Sequence, residues 1–234
     1  MSYVSIIMPI YNQNKELEIT LAAFTLQSYK QFEIVIVNDG SKDNTKEVIE
    51  NLNVNTINLD KNHGKGYAMN RAIKNYEYDY IAFIDGDLGL TSFEIEKLIY
   101  PVVSNKVDFT IAKFPEARTI TNRKGGFGFV KRLAKRGVYF YTKKEIDTSL
   151  SGQRVYRKEV MDIMDYIPNR YGIEVAMTIQ ALNGGFTFEE VPVKMSHRYT
   201  ERNLKGFIHR GKQFLNILKT LIIMFFRRWR KWTI

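Results

Sequence analysis

The first half of the chain alternates short apolar runs with segments whose apolar residues recur at helical spacing. The apolar runs predict strands at 4–9, 32–37, 56–59, 80–84 and 108–112. Helical spacing predicts a helix that follows the polar turn at 11–14 and extends to about residue 27, and helices at 66–75 and 92–103. A further helix is predicted after Ser41 or Asp43, either of which suits an N-cap. This order predicts an α/β fold with a mostly parallel sheet and helices on both faces.

The second half of the chain carries fewer clear signals. An apolar helix is predicted at about 175–182, a strand at 191–195, and one long amphipathic helix at 204–232. We therefore expect an α/β domain over 1–200 and a basic C-terminal helical segment over 201–234.

Three of the predicted strands end in polar turns. These turns are Tyr11-Asn12, Asn38-Asp39 and Asp85-Gly86-Asp87. One such turn would mean little, because Asp, Asn and Gly are ordinary turn residues. Ligands of parallel sheets bind beyond the carboxyl ends of the strands, so three polar turns in this position predict a binding site at one edge of the sheet.

The Asp85-Gly86-Asp87 turn is the segment best suited to hold a metal. Two alternate carboxylates after a strand can face one hard cation, and the glycine between them lets a diphosphate approach the backbone. The chain has no cysteine, so a metal would be held by oxygen or imidazole ligands, which favours Mn²⁺ or Mg²⁺. The glycine pattern of a dinucleotide-binding turn or a P-loop is absent from the sequence.

Four ordered segments resemble family 2 glycosyltransferases of the GT-A fold. They are V-S-I-I-M-P-I-Y-N, V-I-V-N-D-G-S-K-D-N-T, K-N-H-G-K-G-Y-A-M-N-R-A and I-A-F-I-D-G-D-L. The resemblance spans roughly 3–200 and implies transfer of a sugar from a nucleotide-sugar donor.

The resemblance also implies roles for matching residues on the donor side. The nucleoside pocket would contain Pro9, Tyr11, Asn12 and Asp39, with Lys65 and Gly66 in a loop that closes over it. Asp85 would reach the ribose or a metal-bound water, Asp87 would ligate the metal, and His197 would be a further metal ligand. A helix-capping role for Asp39 and a solvated surface position for Lys65 are the alternatives.

On the acceptor side, the resemblance is to polyprenyl-phosphate glycosyltransferases. Ser151, Gln153 and Arg154 form a segment that would lie beside the acceptor phosphate, after a basic, glycine-rich stretch that we interpret as an acceptor loop. If the reaction inverts the anomeric carbon, Glu174 is the candidate base, although a first-turn glutamate also suits a helix dipole. Arg198 and Arg202 are candidates to hold the leaving diphosphate.

Charge is concentrated at the C-terminus. The chain carries a net charge of +10, and residues 198–234 contain ten Lys or Arg against Glu201, which leaves only about +1 for the rest. The densest apolar run of the predicted C-terminal helix is too short to span a membrane, because a membrane-spanning helix needs about 20 apolar residues. It suits the surface of an anionic membrane, with Trp229 and Trp232 at the boundary. Packing on the domain or on a second copy is the alternative.

Together these features predict a metal-dependent glycosyltransferase. We expect a UDP-sugar donor, an inverting reaction, and a lipid-linked or other cell-envelope acceptor. Because no secretory leader is visible, we expect a cytoplasmic protein, peripheral on the inner face of the membrane. The alternatives are a non-catalytic membrane adaptor and a nucleic-acid-binding protein, although the sequence contains no known nucleic-acid motif.

Overall fold

The computed structural model describes residues 3–13, 16–26, 28–52, 54–114, 128–195 and 204–232, with side chains of the last segment described for 210–227. The strands are β1 (Val4–Ile10), β2 (Phe32–Asn38), β3 (Asn55–Asn58), β4 (Tyr80–Phe83), β5 (Phe109–Lys113), β6 (Arg154–Arg157) and β7 (Phe188–Pro192). The helices are α1 (Leu17–Ala23), α2 (Thr45–Glu50), α3 (Lys65–Asn75), α4 (Glu96–Val103), α5 (Phe129–Thr142), α6 (Lys158–Asp162), α7 (Ile173–Asn183) and α8 (Leu204–Trp232). Two 3₁₀ segments, Phe24–Leu26 and Gly89–Ile95, complete the elements.

The strands form one sheet of seven in the order β3-β2-β1-β4-β6-β5-β7. All neighbouring pairs are parallel except those made by β6, which runs antiparallel to both β4 and β5. Because β6 is reversed, the residues that precede it lie at the same edge as the carboxyl ends of β1, β2 and β4. The pairing of Phe83 with Arg154 fixes this register.

Side chains of alternating strand positions build a core on each face of the sheet. Ile81 and Phe83 of β4 point to one core, whereas Ala82 of the same strand points to the other. The first core includes residues of α3, α5, α7 and α8, and the second is covered by α1, α2 and α4. This two-sided cover explains the continuous apolar runs of the central strands.

The structure confirms the predicted α/β fold class and corrects several details. The predicted helix at 92–103 is a 3₁₀ segment up to Ile95, followed by α4. The strand predicted at 191–195 lies at Phe188–Pro192. The sequence analysis did not predict β6, α5 or α6 as separate elements.

The loop interpretation of the basic stretch is wrong for its second part. Lys131, Arg132, Lys135 and Arg136 lie on α5, whose buried residues Ala134, Gly137, Val138 and Tyr141 recur at helical spacing. The other predicted residues of this stretch, from Arg118 to Phe127, lie outside the described residues.

Helix α8 packs along the body of the domain. Its Ile217, Leu221 and Met224 join the first core, and the Tyr141 hydroxyl donates a hydrogen bond to the Leu221 carbonyl at 2.7 Å. A Cβ on Gly137 would lie 2.6 Å from Leu221, so the missing side chain allows α5 and α8 to approach closely. Of the described helices, none is both long and apolar enough to cross a membrane.

Candidate functional site

The three predicted polar turns meet at the carboxyl edge of the sheet. Ile10 pairs with Asn38, so the turns after β1 and β2 lie side by side. The amide of Asn12 donates to Ser41 Oγ at 3.0 Å, and Asn12 Oδ1 accepts from the Lys42 amide at 2.9 Å. Asn12 therefore connects the turns after β1 and β2. Ser41 Oγ accepts one of these hydrogen bonds and does not cap α2.

A cavity of about 410 Å³ opens at this edge. Its lining includes Pro9, Tyr11, Gln13, Asp39, Lys65, Asp85, Arg170, Tyr171 and Glu174. Six residues predicted for the donor and base thus share one cavity, whereas Asn12, Gly66 and Asp87 are outside its lining.

Asp39 is buried and organises the loop that precedes α3. Its two carboxylate oxygens accept hydrogen bonds from the backbone amides of His63 and Gly64, each at 2.8 Å. Asp39 does not cap α2, since its carboxylate oxygens accept from these two amides and the Thr45 amide donates to Asp43 Oδ1 at 3.1 Å. The side chain therefore fixes one wall of the cavity.

Asp85 is held between a cation and an amide. Lys65 Nζ donates to Asp85 Oδ1 at 2.6 Å, and Gln153 Nε2 donates to Asp85 Oδ2 at 2.6 Å. Lys65 Nζ also lies 3.6 Å from Glu174 Oε1. One ammonium thus lies between two carboxylates predicted for the site.

The charge environment stabilises the ammonium form of Lys65. Burial alone lowers the pKa of this group, but the charges of Asp85 and Glu174 and the hydrogen bond to Asp85 outweigh it. The nearby Arg154 opposes them more weakly, and the net result is a pKa raised above the usual value for lysine. Lys65 is therefore a charged member of the site rather than a solvated surface lysine.

Two glycines allow these groups to meet. A Cβ on Gly152 would lie 2.5 Å from Lys65 Nζ and 3.1 Å from Asp85 Oδ2. A Cβ on Gly66 would lie 1.8 Å from the Pro168 carbonyl oxygen, so only glycine lets the start of α3 pack against the loop that leads to Glu174. The amide of Tyr67 donates to the Asn169 carbonyl at 3.1 Å across the same contact.

The turn after β4 is fixed from α1. Thr20 Oγ1 donates to the Gly86 carbonyl at 2.9 Å and accepts from the Gly89 amide at 2.9 Å. Asp87, two residues beyond Asp85, is half-buried in this turn.

Asp85 and Asp87 are the two carboxylates of this turn, and carboxylate oxygen is the donor type that suits a hard divalent cation. Mg²⁺ in proteins is commonly held by one or two carboxylates, together with water and substrate phosphate oxygens. Within the described residues, no group of three acidic or histidine side chains could hold a metal. The predicted third ligand His197 and the predicted diphosphate residues Arg198 and Arg202 lie outside the described residues.

Arg154 lies beneath the site rather than in the cavity. It is 1% exposed, and its guanidinium donates to the carbonyls of Ser149, Ser151 and Glu174 at 2.6–3.3 Å. It also donates to Thr178 Oγ1 at 2.6 Å and the Tyr156 hydroxyl at 3.1 Å. Since its donors point into the protein, this placement does not support contact with an acceptor phosphate.

The other residues of that segment remain close to Asp85. Gln153 contacts the carboxylate directly, and Ser151 Oγ is a buried polar atom without a hydrogen-bond partner among the described residues. An unpartnered buried hydroxyl beside a charged site is consistent with a polar ligand there. The close approach of Gly152 and Gln153 to Asp85 was not predicted, and the reversed direction of β6 explains it.

Comparisons with known proteins agree with this architecture. The model of the family described as "Glycosyl transferase family 2" matches residues 5–163. Poly-beta-1,6-N-acetyl-D-glucosamine synthase of Staphylococcus aureus strain COL is 36% identical over 88 residues, which cover 36% of this chain and 21% of that protein. The Staphylococcus epidermidis protein of the same name is 35% identical over the same length. The match therefore spans about a fifth of these relatives.

Solved structures share the fold over most of the chain. Glucosyl-3-phosphoglycerate synthase of Mycobacterium tuberculosis, in complex with Mn²⁺, UDP and phosphoglyceric acid, superposes with a TM-score of 0.76 at 18% identity. That superposition covers 94% of this chain and 78% of the other. Its complex with Mn²⁺, UDP-glucose and phosphoglyceric acid gives a TM-score of 0.74 at 19% identity, with 94% and 79% covered. The fold is thus the GT-A fold, and with the family match over more than half of its length the chain belongs to glycosyl transferase family 2.

Proposed function

We propose that this protein transfers a sugar from a UDP-sugar to a membrane-associated acceptor, such as a polyprenyl phosphate or another cell-envelope glycan or lipid precursor. The observation that carries the proposal is the cluster of Asp85, Lys65, Gln153 and Glu174 at the edge of a cavity that also contains Asp39. Family membership and the UDP complexes of structural neighbours support the donor class.

The donor would lie along the carboxyl edge of the sheet. Pro9, Tyr11 and Asp39 would contact the nucleoside, because they line the cavity on the side of β1 and β2. The loop held by Asp39 and the start of α3, with Lys65 and Gly66, would cover it. The diphosphate would then reach the Asp85-Gly86-Asp87 turn.

Mn²⁺ or Mg²⁺ would be held by Asp85 and Asp87, with His197 as a further ligand. When bound, such a cation neutralises the diphosphate as it leaves. The ammonium of Lys65, which lies 2.6 Å from Asp85 Oδ1 and 3.6 Å from Glu174 Oε1, would also bind a phosphate oxygen. Arg198 and Arg202 are proposed to hold the same leaving group.

Glu174 is the proposed base for a hydroxyl acceptor. An inverting transfer requires the acceptor to lose its proton as it attacks, and the base must lie within hydrogen-bonding reach of it. Glu174 is mostly buried at the cavity, and its backbone carbonyl is anchored by Arg154 at 3.1 Å. A phosphate acceptor is already an anion, so Glu174 would then orient it. Ser151 and Gln153 are proposed to line the acceptor side.

Helix α8 supports the membrane part of the proposal. Its apolar side chains Leu215, Leu218, Ile222, Phe225 and Phe226 are exposed, although the helix packs its opposite side on the domain. An exposed apolar stripe on a basic helix suits the interface of an anionic membrane. We accordingly propose a peripheral position on the cytoplasmic face of the membrane.

Release of UDP tests the activity directly. We would measure nucleotide release with a panel of UDP- and GDP-sugars, with Mn²⁺ and with vesicles that contain polyprenyl phosphate. The proposal predicts acceptor-dependent release from one UDP-sugar. With a hydroxyl acceptor, Glu174→Gln should lower kcat by about 10²-fold or more, since a general base contributes that much. Asp162→Asn, an exposed carboxylate on α6, is the matched control and should retain activity. No release from any donor would refute the proposal.

A further inference from the structure

A second cavity, of about 590 Å³, lies against the opposite side of the 166–171 loop. Its walls are the loop before α3, the 166–171 loop and one side of α8. We call it the basic cleft, because Lys61, Arg170 and Lys219 line it. The lining also includes His63, Tyr166 and Asn216.

The charge of the basic cleft is positive. Lys61, Arg170 and Lys219 line it, and its lining contains no aspartate or glutamate. The neighbouring acid is the exposed Asp60, 4.0 Å from Lys61 Nζ and 2.9 Å from His63 Nε2. In the part of the chain that the structure describes, no ion pair joins Arg170 or Lys219 to an acidic side chain. Asp60 thus offsets part of the charge of Lys61 and His63, whereas Arg170 and Lys219 keep theirs. Cations on a concave surface whose lining has no carboxylate favour an anionic ligand.

The basic cleft shares a wall with the donor cavity. Asn62, Arg170 and Tyr171 line both cavities. The Asp39 carboxylate, at the donor cavity, holds the backbone amide of His63, which lines the basic cleft. A ligand in one cavity therefore contacts the same loops as a ligand in the other.

Helix α8 presents three different stripes around its axis. Asn216, Lys219, Thr220 and Ile223 line the basic cleft at a spacing of three, four and seven residues, which places them on one side. Ile217, Leu221 and Met224 face the core, and Leu215, Ile222 and Phe226 are exposed. Leu215 and Ile222 are four and three residues from Lys219, and Phe226 is seven residues from it. These spacings place the exposed apolar residues on the side of α8 that carries Lys219, so they border the cleft.

We propose that the basic cleft binds the phosphate group of a phosphomonoester, with any apolar chain of that ligand lying on the exposed stripe of α8. Lys61, Arg170 and Lys219 would neutralise the phosphate, and the cleft amides and tyrosine hydroxyls would donate hydrogen bonds. That this ligand is the acceptor rests on the proposed function; the binding site itself does not. The shared wall would then place the acceptor beside the donor.

The test uses the full chain and two phosphate probes. Octyl phosphate in solution is titrated by calorimetry, and vesicles with phosphatidic acid are compared with vesicles of phosphatidylglycerol at equal surface charge. Lys219→Glu and, separately, Lys61→Glu should weaken octyl phosphate binding by about tenfold or more, because each removes a charge-assisted contact. Lys74→Glu, an exposed lysine in the last turn of α3 at the far end from the cleft, is the charge-matched control and should bind like wild type.

The two probes separate a soluble ligand from a lipid. Lys219-dependent binding of octyl phosphate supports a phosphate site open to soluble ligands. Lys219-dependent preference for phosphatidic acid over phosphatidylglycerol supports a lipid headgroup. The inference is overturned if wild type binds neither probe, or if Lys219→Glu and Lys74→Glu bind both probes equally well. Binding of UDP in the presence of Mn²⁺ is titrated in parallel. Absence of UDP binding would refute the proposed function, whereas the phosphate measurement contains no nucleotide and tests the cleft separately.

Discussion

The carboxylate of Asp85 is held from two directions, by the ammonium of Lys65 and by the amide of Gln153. Gly152 allows this arrangement, because a Cβ at that position would lie only 2.5 Å from the lysine nitrogen. A methyl group added at position 152 therefore tests whether the contact between Lys65 and Asp85 contributes to turnover of the sugar donor.

We expect Gly152→Ala to lower donor turnover while changing stability little. The added Cβ meets the far end of a flexible side chain, which can move away at a cost of about 1 kcal/mol or less. The displaced ammonium then leaves Asp85, and UDP release should fall by about tenfold or more. Gly211→Ala, where a Cβ meets no atom within 4 Å, is the control and should retain turnover. Full turnover in Gly152→Ala would contradict this role of Lys65.

Arg154 differs from the residues around it because its contacts are internal. Its guanidinium satisfies three backbone carbonyls and two hydroxyls below the cavity. Arg154→Met would leave these acceptors without donors in the interior. We expect a loss of about 2–4 kcal/mol in the free energy of unfolding, measured by denaturant titration. An unchanged unfolding free energy combined with weaker acceptor binding would instead indicate a ligand-binding arginine.

The positions of Asp39 and Asp85 at the carboxyl edge of the sheet were predictable, because each follows a parallel strand with a clear apolar pattern. Gly152 and the Asp85 contact of Gln153 were not, because they precede β6, whose reversed direction no local pattern reveals. Arg154 was expected at the acceptor phosphate because the resemblance implies it and a guanidinium binds phosphate oxygens. Its burial depends instead on carbonyls of Ser149, Ser151 and Glu174, which no local sequence pattern reveals.

Among the elements, α8 contributes residues both to the core and to the exposed apolar surface. One side of it enters the core beside Gly137 of α5, and another side leaves large apolar residues exposed. The spacing of apolar residues predicts an amphipathic helix but does not indicate which of those residues the domain covers.

Two truncations on α8 should separate its sides. Leu221→Ala removes a buried side chain and should cost about 2–4 kcal/mol in the free energy of unfolding. Phe226, 62% exposed, should change it by only about 0.5 kcal/mol when replaced by Ala. Thermal and denaturant unfolding of both variants measure the difference. Equal costs would mean that α8 does not pack as described.

The elements that sequence analysis missed have weak local signals. Strand β6 has four residues and an arginine at each end, which resembles an exposed segment. Helix α5 buries small residues, including Gly137, and carries many basic residues on its other side. Its helical structure is stabilised by packing against α7 and α8 rather than by a strong apolar stripe.

For the molecule as a whole, charge is unevenly distributed. Of the net charge of +10, residues 198–234 carry all but about +1. In the proposed membrane association, the basic segment would provide the attraction for an anionic surface, and the exposed apolar residues of α8 would provide apolar contact.

The membrane proposal predicts a salt-dependent interaction. The protein should sediment with anionic vesicles and not with neutral ones, because each Lys or Arg near the surface contributes about 1 kcal/mol. Raising salt from about 0.1 to 0.5 M should weaken binding, since the Debye length shortens. The double variant Ile222→Ser, Phe226→Ser should bind more weakly with unchanged unfolding. Equal binding to neutral vesicles, or dimerisation through α8 in their absence, would contradict the proposal.

The most direct test of the central claim is stabilisation by Mn²⁺ and UDP together. At about 100 times the dissociation constant, a ligand of the native state adds about 2.7 kcal/mol, which raises Tm by roughly 5–10 °C for a chain of this size. We expect that rise in wild type and in the control Asp162→Asn, and its loss in Asp87→Asn. No rise in wild type, or an equal rise in Asp87→Asn, would contradict the assignment of the Asp85-Gly86-Asp87 turn as the metal and diphosphate site.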